Sequence, residues 1–189
     1  MGKKPLSKEQ VAALRVLTQN KPLQALLLNL SVDLMLRASD LLGLKVKEVL
    51  TPSGEVRETV RVRQRKSSEE TIEMPLSFDS RDAILRHLLG RPPEDCIFAG
   101  QKYETARKPI CTQTFARIIK NWMRALGIED VSQYSTHSLR RTKPSIIYEK
   151  TGNLEAVRRL LGHSNLIDTV RYLGVEDADA TELARSVEV

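Results

Sequence analysis

The hydrophobic pattern of this chain changes period twice, and that double change restricts the folds open to it. Up to Gly43, and again from Ala83 onward, apolar residues recur at helical spacing. Between those stretches, Val46 to Val49, Val56 to Arg65 and Thr71 to Leu76 are rich in β-branched residues. In Val60-Arg61-Val62-Arg63 the alternation has a period of two, one face apolar and one basic. Pro52-Ser53-Gly54 and Ser67-Ser68 mark the turns. The expected fold is therefore α+β and mainly α-helical, with a small three-stranded antiparallel sheet between two groups of helices.

The helices carry their own start and stop signals. Ser7-Lys8-Glu9-Gln10 matches a capping box ahead of Val11, Leu14 and Leu17. Pro22 suits the first position of an apolar helix that runs to about Leu36. Ser39 is a candidate cap for a short helix that Gly43 ends. After the sheet, Ala83, Ile84, Leu85, Leu88 and Leu89 define another helix. Cys96-Ile97-Phe98 reads as a short buried extended piece, and residues 99–110 read as a loop. Thr112 or Thr114 opens a helix through Phe115, Ile118, Ile119, Trp122, Met123 and Leu126, stopped by Gly127. Helices are expected at about 136–150, 153–161 and 164–172, with a last one at 178–187.

The longest apolar stretch, Leu23 to Leu36, is broken by Gln24, Asn29 and Asp33, so no run approaches the ~20 residues of a membrane helix. No apolar segment follows Lys3 and Lys4, which argues against a signal peptide. Leu6 stands where a myristoylation motif needs Ser or Thr. Cys96 and Cys111 have no metal-ligand spacing and read as free thiols in a reducing cytoplasm. With 189 residues, one domain and a small appendage fit. Only 4% of residues are aromatic, so the core must be aliphatic.

The net charge of +6 is unevenly spread. Leu173 to Val189 holds one basic residue, Arg185, against five acidic ones, a net of −4, which leaves +10 on residues 1–172. A basic body with an acidic tail suggests a polyanionic partner.

Several polar clusters have ordinary structural readings when taken singly. Arg37 and Asp40 stand three apart after a buried helix, which suits a salt bridge. Lys66 falls at a hairpin turn, where lysines are usually solvated. His137 and Arg140 share a helix face, with Thr136 as a candidate cap. Gly162-His163-Ser164 looks like one helix ending and the next beginning at Ser164 or Asn165, and Tyr172 suits amphipathic packing.

Taken in order, Arg37, Lys66, His137, Arg140, His163 and Tyr172 resemble the signature of the tyrosine recombinase, or phage integrase, family. The matching text is L-R-A-S-D-L-L-G-L, Q-R-K-S, T-H-S-L-R-R-T, L-L-G-H-S and T-V-R-Y-L-G. The nine residues from His163 to Tyr172 and the 32 from Arg140 to Tyr172 look like the family spacing. The resemblance covers about Leu6 to Gly174, and short bacterial integrase-like proteins with T-H-S-L-R-R-T-K are the nearest likeness.

The resemblance implies a catalytic domain over residues 1–174, an acidic tail helix over 175–189 and no N-terminal core-binding domain. It implies a site-specific recombinase that cleaves and rejoins DNA through a 3′-phosphotyrosyl link, in integration, excision or resolution, without metal, ATP or other cofactor. Tyr172 would be the nucleophile, Arg37 and Arg140 the phosphate clamps, and His137 the proton acceptor. His163 would bind the scissile phosphate, Lys66 would protonate the leaving 5′-oxygen, and Asp40 would orient Arg37 or its neighbours. The implied partner is duplex DNA. The implied assembly is a homo-tetramer on DNA of subunits that are monomers when free, with an accessory DNA-binding protein as a further partner. No membrane is involved, and the implied location is a bacterial cytoplasm, at the nucleoid. A non-catalytic DNA-binding regulator descended from such an enzyme is the alternative.

Arg61, Arg63 and Arg65 on the hairpin, and Lys120, Arg124, Arg141 and Lys143 on or near helices, are the expected DNA contacts. Two features depart from the family pattern. Met35 replaces the glycine usual before the first Leu-Arg, and Pro144 falls inside the helix of Arg140. Such a proline removes the bond to the Arg140 carbonyl at a cost of about 3 kcal/mol unless the helix kinks, and it is expected to shift Arg140.

Overall fold

The computed structural model describes residues 3–63, 71–99 and 108–174. Its elements are α1 (Lys8–Thr18), α2 (Pro22–Leu34), α3 (Ala38–Leu42), α4 (Val46–Val49), β1 (Thr59–Arg63) and β2 (Thr71–Pro75). They continue with α5 (Phe78–Leu88), α6 (Thr112–Ala125), a 3₁₀ turn (Val131–Gln133), α7 (Thr136–Thr151), α8 (Leu154–Leu161) and α9 (Leu166–Leu173). The mainly helical α+β class holds. The expected tail helix at 178–187 lies outside the described residues.

Helix α2 is the centre. Every residue from Ala25 to Leu34 is buried, so it is apolar on all sides, as an interior helix must be. It packs against α1, α5 and α7. Its start is Pro22, and α1 starts with the full Ser7–Gln10 capping box. Helix α6 buries Phe115, Ile119, Trp122 and Met123, and the Trp122 indole donates to Gln24 Oε1 of α2 at 2.7 Å. The Cys96–Phe98 piece is buried as expected, with Ile97 N donating to Leu44 O at 3.0 Å. Helix α5 buries Ala83, Ile84 and Leu88 but leaves Leu85 and Leu89 exposed.

Among the described residues the sheet has two strands, not three. β1 and β2 pair antiparallel from Thr59↔Pro75 to Arg63↔Thr71. Val60 and Met74 face the core, while Arg61 pairs with Glu73 outside at 2.7 Å. The expected strand at Val46–Val49 is a single helical turn. Val46 and Val49 are three apart and both buried, which a turn of helix satisfies and a strand does not. Glu48 closes that turn by accepting from Lys45 N at 2.7 Å. Leu50↔Val56 is only an isolated bridge.

Pro144 does not break α7, which runs unbroken from Thr136 to Thr151. The cap is Ser135 rather than Thr136. Arg140 stays lodged in the interior, 2% exposed.

One buried carboxylate joins three of these helices. Asp33, at the end of α2, accepts from Ser77 N (2.7 Å) and Ser80 Oγ (2.6 Å) at the start of α5. It also pairs with Lys143 Nζ of α7 at 2.9 Å. Burial pushes the Asp33 carboxyl up, but the Lys143 charge and the Ser77 and Ser80 hydrogen bonds outweigh it, leaving it below its ordinary value. Its stabilisation is therefore present above the unfolded carboxyl pKa and is lost only as pH falls through the lower folded one. Lys143→Met leaves the buried carboxylate without a counter-charge. We expect a loss of about 3 kcal/mol at pH 7, low in the usual range because Lys143 is partly solvated. Burial then dominates and raises the Asp33 pKa, so the deficit shrinks as the carboxyl protonates towards about pH 4. Denaturant melts of both proteins at the two pH values check this, and a deficit that grows on acidification contradicts it.

Candidate active site

The site forms where α7, α8 and α9 meet the turn between α2 and α3. At the start of α7, Ser135 Oγ accepts from His137 N at 3.2 Å and Ser135 N donates to Ser138 Oγ at 3.0 Å. This double cap fixes the first turn. His137 then faces solvent at the rim, and Arg140, one turn on, points inward. Arg140 Nη2 donates to Leu161 O, at the end of α8, at 2.9 Å.

Past Leu161 the chain reverses at Gly162, φ +65°, a conformation that glycine adopts freely. His163 follows, half-buried. Arg158 Nη1 donates to its carbonyl at 2.6 Å, and its Nδ1 lies 3.0 Å from Thr169 Oγ1. Asn165, not Ser164, caps α9, and that helix brings Tyr172 back over His163. The two rings meet edge to face, centroids 5.3 Å apart and planes at 81°. The Arg141 guanidinium lies over the same tyrosine ring, 5.2 Å from its centroid.

Arg37 comes from the turn between α2 and α3. It is the N-cap of α3, half-buried, in extended backbone. Two residues earlier Met35 has φ +51° and ψ +29° and is 1% exposed. It is the one non-glycine in the left-handed region among the described residues. The missing glycine thus has a structural counterpart: the backbone needs the left-handed turn, and methionine is held in it. Asp40, in the first turn of α3, is near enough to Arg140 to favour its charged form.

Electrostatics ties these groups into one cluster. Burial lowers the His137 pKa, and the Arg140, Arg37 and Arg141 charges lower it further. His163 is likewise lowered, by burial first and then chiefly by Arg140. Both imidazoles are therefore neutral at pH 7 and able to accept a proton. Burial pushes the Tyr172 phenol up to about 12, against the pull of Arg140, Arg141 and Arg37. Its hydroxyl is buried and makes no well-formed hydrogen bond among the described residues, although Arg140 is near enough to act on it. Burial also depresses Arg140, which stays charged at any working pH.

Five of the six expected catalytic positions are thus linked through two of them: Arg37 and Arg140 each lie within electrostatic reach of His137, His163 and Tyr172. Lys66 falls outside the described residues, as does Arg65. Arg63 is placed only as the last residue of β1. Arg61 is exposed and paired with Glu73. Lys120 and Arg124 are exposed on α6, and Arg117 joins them on the same face. The sequence reading missed Arg117, although its spacing from Lys120 and Arg124 was legible. Arg141 and Lys143 were expected as DNA contacts beside the site. Instead Arg141 is 8% exposed, against Tyr172, and Lys143 is spent on Asp33. Thr169, fully buried against His163, was also missed, though it lies within the T-V-R-Y text.

Residues 4–179 match the phage integrase family. The chain is 28% identical over 156 residues to a probable integrase/recombinase, YoeC, of Bacillus subtilis, covering 82% of this chain and 79% of that protein. It is 29% identical over 157 residues to a tyrosine recombinase of Pseudothermotoga lettingae, covering 82% of this chain and 50% of that protein. Its fold is similar to the crystal structure of XerA recombinase, with a TM-score of 0.74, 18% identity, and coverage of 98% of this chain and 64% of that one. The chain thus spans most of YoeC but about half to two thirds of the other two.

Position 35 gives a direct test of the backbone that delivers Arg37. Met35→Ala keeps the left-handed strain, which costs about 1–2 kcal/mol, and adds a cavity. Met35→Gly adds a similar cavity but releases the strain. We expect the glycine variant to be more stable than the alanine variant by about 1 kcal/mol, the reverse of their order in ordinary backbone. Paired denaturant melts decide it, and alanine equal to or above glycine contradicts the geometry.

Proposed function

The chain belongs to the phage integrase family, and from that premise we propose that it is a tyrosine-type DNA strand-exchange enzyme, which cleaves and rejoins duplex DNA through a 3′-phosphotyrosyl link at Tyr172. The observation that carries this reading is the Tyr172 hydroxyl, buried among the charges of Arg140, Arg141 and Arg37. The ring packs against His163 and Arg141, but a buried hydroxyl with no well-formed hydrogen bond costs stability rather than adding to it. It is suited to attack an anion that the guanidiniums hold.

The chemistry follows from the charges. Attack on a phosphodiester places more negative charge on the non-bridging oxygens. Arg37 and Arg140 bind those oxygens as it develops, and each such donor contributes about 3–4 kcal/mol to the transition state. The Tyr172 phenol, at about 12, does not ionise by itself near neutral pH, so its proton must leave as the P–O bond forms. Neutral His137 accepts it. His163, its Nδ1 engaged with Thr169, presents Nε2 to the scissile phosphate. Lys66 protonates the departing 5′-oxygen, and Asp40 orients the arginines. The bond energy is kept in the phosphotyrosyl link, and a 5′-hydroxyl from another strand reverses the step. Exchange between two duplexes requires several subunits, and a homo-tetramer on DNA is the assembly we propose.

Arg117, Lys120 and Arg124 lie on one exposed face of α6 beside Asn121, and with Arg61 and Arg63 of β1, and Arg65, they contact backbone phosphates. If six phosphates are neutralised, affinity falls by about 10³ between 50 and 200 mM salt.

Covalent trapping tests the proposal. The protein is mixed with labelled suicide DNA substrates from around its own gene. We expect label that survives SDS and is released by protease with the wild type, and none with Tyr172→Phe, which still binds DNA. Arg37→Gln should slow adduct formation by about 10²–10³-fold. An adduct that persists in Tyr172→Phe removes Tyr172 as nucleophile. Salt-sensitive binding with no wild-type adduct places the chain with the non-catalytic, DNA-binding reading.

A further inference from the structure

Arg141 follows Arg140 in sequence, yet its side chain does something different. It is 8% exposed, and the contacts of its guanidinium are made within the protein. Its Nη1 donates to the Lys3 carbonyl at 2.7 Å. Its Nε is buried and makes no hydrogen bond. No carboxylate is recorded as its partner among the described residues; its neighbours are a carbonyl, the Tyr172 ring at 5.2 Å and Gly174. A Cβ at Gly174 would lie 3.7 Å from Arg141 Nη2, so the guanidinium packs against the chain just past the tyrosine.

A buried guanidinium without a counter-ion is costly, and the negative face of an aromatic ring offsets only part of that cost. An ionised phenol at the ring's edge would offset more. The ring and the charge are thus complementary in the state that Tyr172 reaches as it attacks, rather than in the resting state. Arg141 already pulls the phenol down against burial, second only to Arg140 among the charges.

The Lys3 contact adds a mechanical link. The segment entering the domain is stitched to the start of α7: Lys4 N donates to Gln133 O at 3.0 Å, and Leu6 N to Thr142 Oγ1 at 3.1 Å. The carbonyl that fixes Arg141 belongs to this strap. A displacement of the strap reaches the tyrosine ring through a single side chain.

We propose that Arg141 is a positioning residue for Tyr172: anchored on the Lys3 carbonyl, its guanidinium holds the ring and keeps a positive charge beside the phenol oxygen. The inference rests on the reading of Tyr172 as nucleophile, but it has a readout that needs no DNA. A fluorinated tyrosine at position 172, whose more acidic phenol ionises where the fold survives, is titrated by ¹⁹F NMR. We expect Arg141→Gln to raise that phenol's pKa by about one unit, and Arg141→Lys to restore most of the difference. Arg141→Met, which keeps the length of the side chain without its charge, stands in if the glutamine variant does not fold. With DNA, the neutral variants should form adduct about tenfold more slowly at saturating substrate, with unchanged affinity. A phenol pKa that does not move in the neutral variants overturns the inference. So does a weaker affinity with an unchanged rate at saturation, which would make Arg141 a phosphate contact. If the wild type forms no adduct, the strand-exchange reading fails, and the titration still decides the role of Arg141.

Discussion

Burying the Arg140 guanidinium is the constraint on which the site depends. A charge at 2% exposure requires compensation, and the fold supplies it with a helix end. The Leu161 carbonyl that accepts from Arg140 is one of the last of α8, where backbone carbonyls lack helical partners and the dipole is negative. That contact sets α8 against α7. Gly162 then turns the chain, so His163 and the start of α9 are placed by the same contact. The position of Tyr172 relative to Arg140 is thus a consequence of one hydrogen bond, one left-handed glycine and eight residues of helix.

Burial also sets the protonation states. Burial of the imidazoles themselves does most to hold both neutral, and the Arg140 charge adds to it; the same charge draws the phenol down although burial keeps it high. Among the histidines, the tyrosine and the arginines of the resting site, only the arginines are charged. That is a suitable field for an anion to enter, and it leaves the nucleophile protonated until an acceptor is in place. A tyrosine ionised at rest would neutralise the guanidiniums that must bind the phosphate.

The sequence disclosed the parts of this arrangement that depend on local spacing. The Ser7 box, Pro22 at a helix start, Gly43 and Gly162 at helix ends, and the His137–Arg140 pair on one face all rest on contacts within a turn or two of chain. It failed where a side chain's direction is decided by a distant partner. Arg141 and Lys143 read as DNA contacts because helical spacing alone does not tell a charge spent inside the fold from one left free for a partner. Their partners, Lys3 and Asp33, are 138 and 110 residues away in sequence. Val46–Val49 misled for a related reason. β-branched residues fit a strand by propensity, but here both valines are needed on one side of the chain, and tertiary packing overrides propensity.

Met35 shows where the fold accepts strain. A left-handed methionine costs about 1–2 kcal/mol, and an ordinary helix end would avoid it. The turn cannot be relaxed freely, because both sides are fixed. Before it, Asp33 is held by α5 and α7. After it, Arg37 must come within electrostatic reach of His137, His163 and Tyr172. Three residues lie between those anchors, and one of them has to reverse the chain. The side chain of Met35 is itself buried in the core, so packing gives back what the backbone loses. Glycine would satisfy the backbone and leave a void; methionine fills the void and keeps the strain. The left-handed turn delivers Arg37, and the choice of residue there decides whether the cost falls on the backbone or on the core.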